Sequence, residues 1–76
     1  MKELIKAIAI ELVDRPDQVV VTEIASEHNC LIELRVAKED VGKVIGRQGR
    51  IIKAIRTLAR AAGSNDEKQV EVEVLG

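Results

Sequence analysis

The segment Val44-Ile45-Gly46-Arg47-Gln48-Gly49-Arg50-Ile51-Ile52 constrains the fold of this chain more than any other. Two glycines enclose a basic and an amide residue, and apolar residues at helical spacing lie on either side, so a four-residue loop must join two helices. With no Cβ, Gly46 and Gly49 can take backbone conformations closed to other residues and let a ligand approach the main chain. The helix that follows opens with unpaired N–H groups and the positive end of its dipole, to which Arg47 and Arg50 add formal charge. Such a loop suits a phosphate. An ordinary connection between helices needs at most one glycine and leaves the flanking basic residues unexplained. Gly42, Gly46 and Gly49 do not make G-x-G-x-x-G, and no G-K-[ST] follows, so neither a dinucleotide fold nor a P-loop is supported.

The 76 residues provide for a single domain, 1–76. A chain of this size buries only about 60% of its unfolded surface, so its stability is expected to be modest. Phe, Tyr and Trp are all absent, which leaves Ile, Val, Leu and Ala to build the core. Base stacking on aromatic rings is therefore unavailable, which argues against modules that bind nucleic acid that way. The net charge of −1 conceals a strong polarity. Between Lys38 and Ala62 lie seven basic residues (Lys38, Lys43, Arg47, Arg50, Lys53, Arg56, Arg60) and two acidic ones (Glu39, Asp40), a local +5 against −6 for the remainder. One region thus attracts an anion while the rest discourages indiscriminate binding. The single cysteine, Cys30, falls among strand residues and reads as a buried thiol. The longest purely apolar run, Ala7 to Ile10, is far short of a membrane span, and the N-terminus has no signal-peptide pattern, so a cytoplasmic location is expected.

Periodicity divides the chain into six elements. Over residues 2–13, Leu4, Ile5, Ile8 and Leu12 share one face of an amphipathic helix, which Pro16 is expected to end. Residues 18–25 are rich in β-branched side chains. Residues 30–36 alternate, with Cys30, Ile32, Leu34 and Val36 on one side, and Ser26-Glu27-His28-Asn29 forms a short polar hairpin connection. Residues 38–45 predict a short helix with Glu39 and Asp40 in its first turn, the sign that favours a helix N-terminus. Residues 50–62 predict the strongest helix, with Ile51, Ile55, Leu58, Ala59 and Ala62 on one stripe and Lys53, Arg56 and Arg60 on another. Gly63 is placed to cap it, Ser64 to Lys68 form a polar loop, and Val70, Val72 and Val74 alternate with glutamates in a last strand. A strand, two helices and a returning strand imply a parallel crossover. The expected fold is therefore α+β, α-β-β-α-α-β, with a mixed three-stranded sheet and three helices on one face.

Element order and glycine loop together resemble the type II KH domain over the whole chain. More narrowly, the run from Val36 through Gly42-Lys43-Val44-Ile45-Gly46-Arg47-Gln48-Gly49-Arg50-Ile51, followed by Lys53-Ala54-Ile55-Arg56, is similar to the small bacterial single-KH proteins of the KhpA type. KH modules clamp a nucleic-acid backbone with a G-x-x-G loop. The resemblance implies a cytoplasmic single-stranded RNA-binding protein, an RNA chaperone or post-transcriptional regulator with links to cell elongation and division. It further implies pairing with itself or with a larger Jag-type (KhpB) KH protein. Carried over residue by residue, it makes Gly46, Arg47, Gln48 and Gly49 the phosphate clamp, flanked by Lys43, Ile45, Arg50 and Ile52. Ile45 and Ile52 either line the groove where bases lie or belong to the core. Lys53 joins the expected contacts, whereas Arg56 and Arg60 read as a solvated continuation of its face. Gly42, inside a helix, permits either close packing or approach of RNA.

No Ser-His-Asp or Cys-His set is apparent, His28 stands in a turn without partners at ligand spacing, and no cofactor, metal or membrane is called for. Two functional classes remain: a single-stranded RNA binder, and a protein-interaction or dimerisation module that keeps the fold but makes little use of its groove. Single-stranded DNA fits the same groove, and RNA is favoured through the resemblance alone.

Overall fold

Alternation along a central strand, β2 (Asn29–Arg35), decides the architecture. Cys30, Ile32 and Leu34 are buried and the residues between them are not, so one face of the strand belongs to the core. β1 (Val20–Ala25) pairs with it antiparallel and β3 (Gln69–Leu75) parallel. The register aligns Val21, Leu34 and Val74 in one row, sets Val72 beside Ile32, and sets Val70 beside Cys30. The computed structural model describes residues 1–63 and 69–76, and the loop expected over Ser64 to Lys68 lies outside the described residues. Helices α1 (Lys2–Leu12), α2 (Val41–Ile45) and α3 (Arg50–Ala62) cover the apolar face, giving the expected α-β-β-α-α-β order and mixed sheet.

The helical faces in contact with the sheet differ from the expected stripes. In α1 the fully buried residues are Ile5 and Ala9, with Ile8 and Leu12 packed beside them, whereas Leu4 is 42% exposed. In α3 the buried set is Ile52, Ile55 and Ala59; Leu58 is 48% exposed and Ala62 is also at the surface. Both helices carry apolar residues around more than one possible stripe, and the alanines decide between them. Ala9 and Ala59 let each helix come close to the sheet, where a leucine would hold it away. Gly63 does terminate α3, but its φ of −92° is not left-handed. A Cβ there would stand 2.7 Å from Met1 Cε and 2.8 Å from Val70 Cγ2, so space is what requires glycine at that point.

α1 also ends earlier than Pro16 suggests, at Leu12, and Pro16 instead opens a 3₁₀ turn, Pro16–Gln18. The cause lies 25 residues downstream. Asp40, only 1% exposed, accepts hydrogen bonds from the backbone N–H groups of Asp14 (3.2 Å) and Arg15 (3.0 Å), drawing them out of the helical ladder. The Lys43 ammonium donates to Asp14 and, at 3.4 Å, to Asp40. Burial alone would push the Asp40 carboxyl up, but the two N–H donors and the Lys43 ammonium outweigh it and hold the group below its ordinary value. Lys43 is raised, chiefly by its hydrogen bond to Asp14 against the opposing effect of desolvation, with Asp40 adding to the rise.

Ile55→Ala is expected to cost about 2–5 kcal/mol in urea unfolding, and Leu58→Ala less than about 0.5 kcal/mol; equal losses would mean that α3 has been assigned the wrong inner face. A carboxyl depressed by folding stabilises fully above its unfolded pKa of about 3.9 and loses that contribution as pH falls through the lower, folded value. The stability difference between wild type and Asp40→Asn should thus be constant from neutral pH to about pH 5 and shrink below about pH 4. A difference that persists unchanged at pH 2 would show that the Asp40 charge is not what holds this junction.

Candidate nucleic-acid interface

The G-x-x-G segment lies between the last turn of α2 and the first of α3, as a single 3₁₀ turn over Arg47–Gly49. Gly46 has φ 77° and ψ 170°, a region essentially restricted to glycine. The side chain of Ile51 packs against its open face, 2.6 Å from where a Cβ would be. Gly49 is left-handed at φ 72°, ψ 19°, with ordinary space around it. Between them Gln48 is also left-handed, at φ 58°, ψ 23°, which a residue with a side chain adopts only at a cost. Three of four consecutive residues thus have positive φ, and the chain turns tightly enough to leave Arg47 and Gln48 exposed at its apex.

The electrostatics of the apex follow from what α3 lacks. Its N-cap is Gly49, no side chain caps its first turn, and no acidic residue lies there. The Gly49 and Arg50 N–H groups bond back to the Gly46 and Arg47 carbonyls, and with no side-chain cap or carboxylate nearby the positive end of the α3 dipole is left uncompensated at the apex. The Arg50 guanidinium donates to Gln48 Oε1 at 3.1 Å, tying the two exposed side chains together, and Lys53 is exposed one turn further along α3. Gly46, Arg47, Gln48, Gly49, Arg50 and Lys53 thus form one cationic surface that a phosphodiester backbone can follow.

Three further expected site residues stand apart from this surface to different degrees. Ile52, at 4% exposure, points into the core, because the inner stripe of α3 runs through it. Ile45 is half-buried against that core and presents only part of its side chain. Lys43 has its ammonium committed to Asp14 and Asp40. Gly42 meets nothing within 4 Å of a notional Cβ, so close packing does not explain it.

Two features of this region escape a reading of the sequence. One is Asp40, which as a residue in the first turn of a helix has the look of a solvated dipole partner; no spacing links it to Asp14 and Arg15. The other is Arg56, half-buried, whose Nε and Nη2 donate to the carbonyl oxygen of Val72 at 3.4 and 3.5 Å. The Gln69 N–H and the Leu75 carbonyl both bond toward β2. Alternate residues, Val72 among them, therefore direct their polar groups to the outer edge of β3, and Arg56 covers that edge from α3.

Gly46→Ala should destabilise the protein more than Gly49→Ala, because it adds a collision with Ile51 to a strain of about 1–3 kcal/mol, while Gly49→Ala carries strain alone. Thermal unfolding of the pair checks this; the reverse order would show that contact with Ile51 is not what restricts position 46.

Among the described residues no group of three or more His, Cys, Asp or Glu side chains could hold a metal ion, and no helix is long and apolar enough to cross a membrane. The family model of the KhpA/KhpB KH domain matches residues 2–74. The chain is 53% identical over 75 residues to the RNA-binding protein KhpA of Clostridium acetobutylicum, covering 99% of this chain and 100% of that one. It is 56% identical over 75 residues to the protein of the same name from Caldanaerobacter subterraneus, again covering 99% and 100%. With the KhpA of Listeria monocytogenes it shares 48% over 75 residues, covering 99% of each. No solved structure is a significant match. A family match from the second residue almost to the last, with relatives about half identical from end to end, means that the chain belongs to the KhpA/KhpB family of KH-domain proteins.

Proposed function

We propose that this protein binds single-stranded RNA by clamping its phosphate backbone with the G-x-x-G loop. The observation that carries the reading is the loop itself: Gly46, Gln48 and Gly49 all have positive φ, which presents exposed Arg47 and Gln48 beside an uncapped helix N-terminus. Strain held at Gln48 is the kind of cost that persists where a functional geometry requires it. The relatives from Clostridium acetobutylicum and Listeria monocytogenes are named RNA-binding proteins, which supports RNA over other polyanions. In this reading Gly46, Arg47, Gln48 and Gly49 grip the backbone, Arg50 and Lys53 follow it along α3, and Ile45 offers the apolar part of the groove. The chemistry is binding, not catalysis.

With about three or four phosphate contacts and no aromatic platform, one domain binds weakly, with a slope near −2 to −3 in log K against log salt. Two linked domains on one strand gain orders of magnitude in avidity. The working form is accordingly a homodimer or a complex with a Jag-type (KhpB) KH protein, acting in the cytoplasm as an RNA chaperone or post-transcriptional regulator connected with cell elongation and division. A second reading, a protein-interaction module with little RNA affinity of its own, draws on Val20 and Ile24, each about half exposed on the open face of the sheet.

The test is fluorescence anisotropy with short labelled RNA at two salt concentrations, using wild type and the Arg47→Asp/Gln48→Asp double variant. Wild type should bind in a salt-sensitive manner and the variant should not, at little cost in thermal stability because both side chains are exposed. Undiminished binding by the variant would sink the clamp; absence of wild-type binding at high micromolar protein would favour the interaction module.

A further inference from the structure

Asp40 is the one buried charged residue among the described residues, and its place is one residue before α2. α2 has only five residues, too few to hold a helical conformation or a direction by itself. Two things fix it. Val44, with no exposed surface, anchors it to the core, and the carboxylate of Asp40 holds its start to the connection between α1 and β1. That junction is doubly tied: Lys43, one turn into α2, reaches both Asp14 and Asp40, and Arg15 stands 3.7 Å from Glu39. Six residues separate Asp40 from Arg47, all within α2 or Gly46, so a change in the grip at one end of α2 becomes a change in where the apex lies at the other.

We propose that Asp40 is a positioning residue for the G-x-x-G loop, and that Lys43 belongs to its grip rather than to the surface that meets phosphate. The proposal rests on the RNA-binding reading for its consequence, though not for its geometry. The Asp40 carboxylate aligns α2 through the N–H groups of Asp14 and Arg15, and α2 then sets the angle at which Arg47 and Gln48 face a strand. Lys43 neutralises the buried carboxylate and bridges it to Asp14, so its ammonium, though partly exposed, is already paired with two carboxylates and releases no counterion when a strand binds.

Salt dependence separates the two roles for lysine, because each phosphate contact on a single strand contributes about 0.7 to the slope. Oligonucleotide titrations of Arg47→Gln are expected to lower the slope by about that amount, while Lys43→Gln leaves it at the wild-type value. Asp40→Asn, measured well below its unfolding temperature so that the protein is fully folded, should bind about threefold to tenfold more weakly with an unchanged slope. A purely structural Asp40 would lower the unfolding temperature and leave the folded variant with wild-type affinity, and that result would overturn the proposal. So would a slope for Lys43→Gln reduced as much as that for Arg47→Gln, which stands as the test should Asp40→Asn not fold. A readout independent of RNA is the amide spectrum of the free protein. Asp40→Asn, or Lys43→Gln in its place, should shift the resonances of Gly46 to Gly49. Loop resonances at their wild-type positions would refute positioning even if wild type bound no oligonucleotide, an outcome that would count separately against the RNA reading.

Discussion

The contact between Gly46 and Ile51 is the constraint on which the site depends. Because Gly46 has no Cβ, the Ile51 side chain can lie against its α-carbon, and the end of α2 is brought onto the beginning of α3. This close approach forces the intervening residues through a turn tight enough to put Gln48 and Gly49 in the left-handed region. It also seats Ile52 and Val44 together in the core, so the turn is held from beneath by apolar burial and does not rely on loop contacts alone. The apex is consequently exposed while the turn beneath it is packed into the core.

The charges are distributed about the sheet with a similar logic. The cationic run of the G-x-x-G apex and α3 belongs to the helical side. On the opposite, open face the register sets Glu33 beside Glu73 and Leu31 beside Glu71, with Ile24 next to Leu31. Like charges in directly adjacent positions are destabilising. Their effect here is to leave the back of the sheet negative, opposite the cationic helical side, in a domain whose net charge is −1. Arg56 stands apart from the exposed cations of α3, because its guanidinium covers the outer edge of β3 and keeps that edge from offering itself to another strand.

Much of this was legible in the residues. Strict alternation over Cys30, Ile32 and Leu34 and over Val70, Val72 and Val74 predicts the strands, and two helices between them demand the parallel crossover that the register shows. The glycine pair with its basic flanks marks the loop. The inner faces of the helices were legible only in part: α1 and α3 each carry apolar residues over a wide arc, and periodicity does not say which of them will lie beneath an alanine. Hydrophobicity points Leu4 and Leu58 to the interior, whereas Ala9 and Ala59 occupy it because they allow the closest approach.

Sequence by itself thus determined the order of elements, the sheet topology and the place of the loop, since each follows from local propensity and from a two- or 3.6-residue period. Tertiary structure alone decided which charges are free to act. Lys43 and Arg47 look alike in the chain, as do Glu39 and Asp40. Only when the end of α1 comes against the start of α2 does Asp40 lose its water, take the N–H groups of Asp14 and Arg15, and bind the Lys43 ammonium in compensation, leaving Arg47 in solvent. A buried charge must find partners wherever the fold supplies them, and that requirement links residues 25 apart that no periodicity connects.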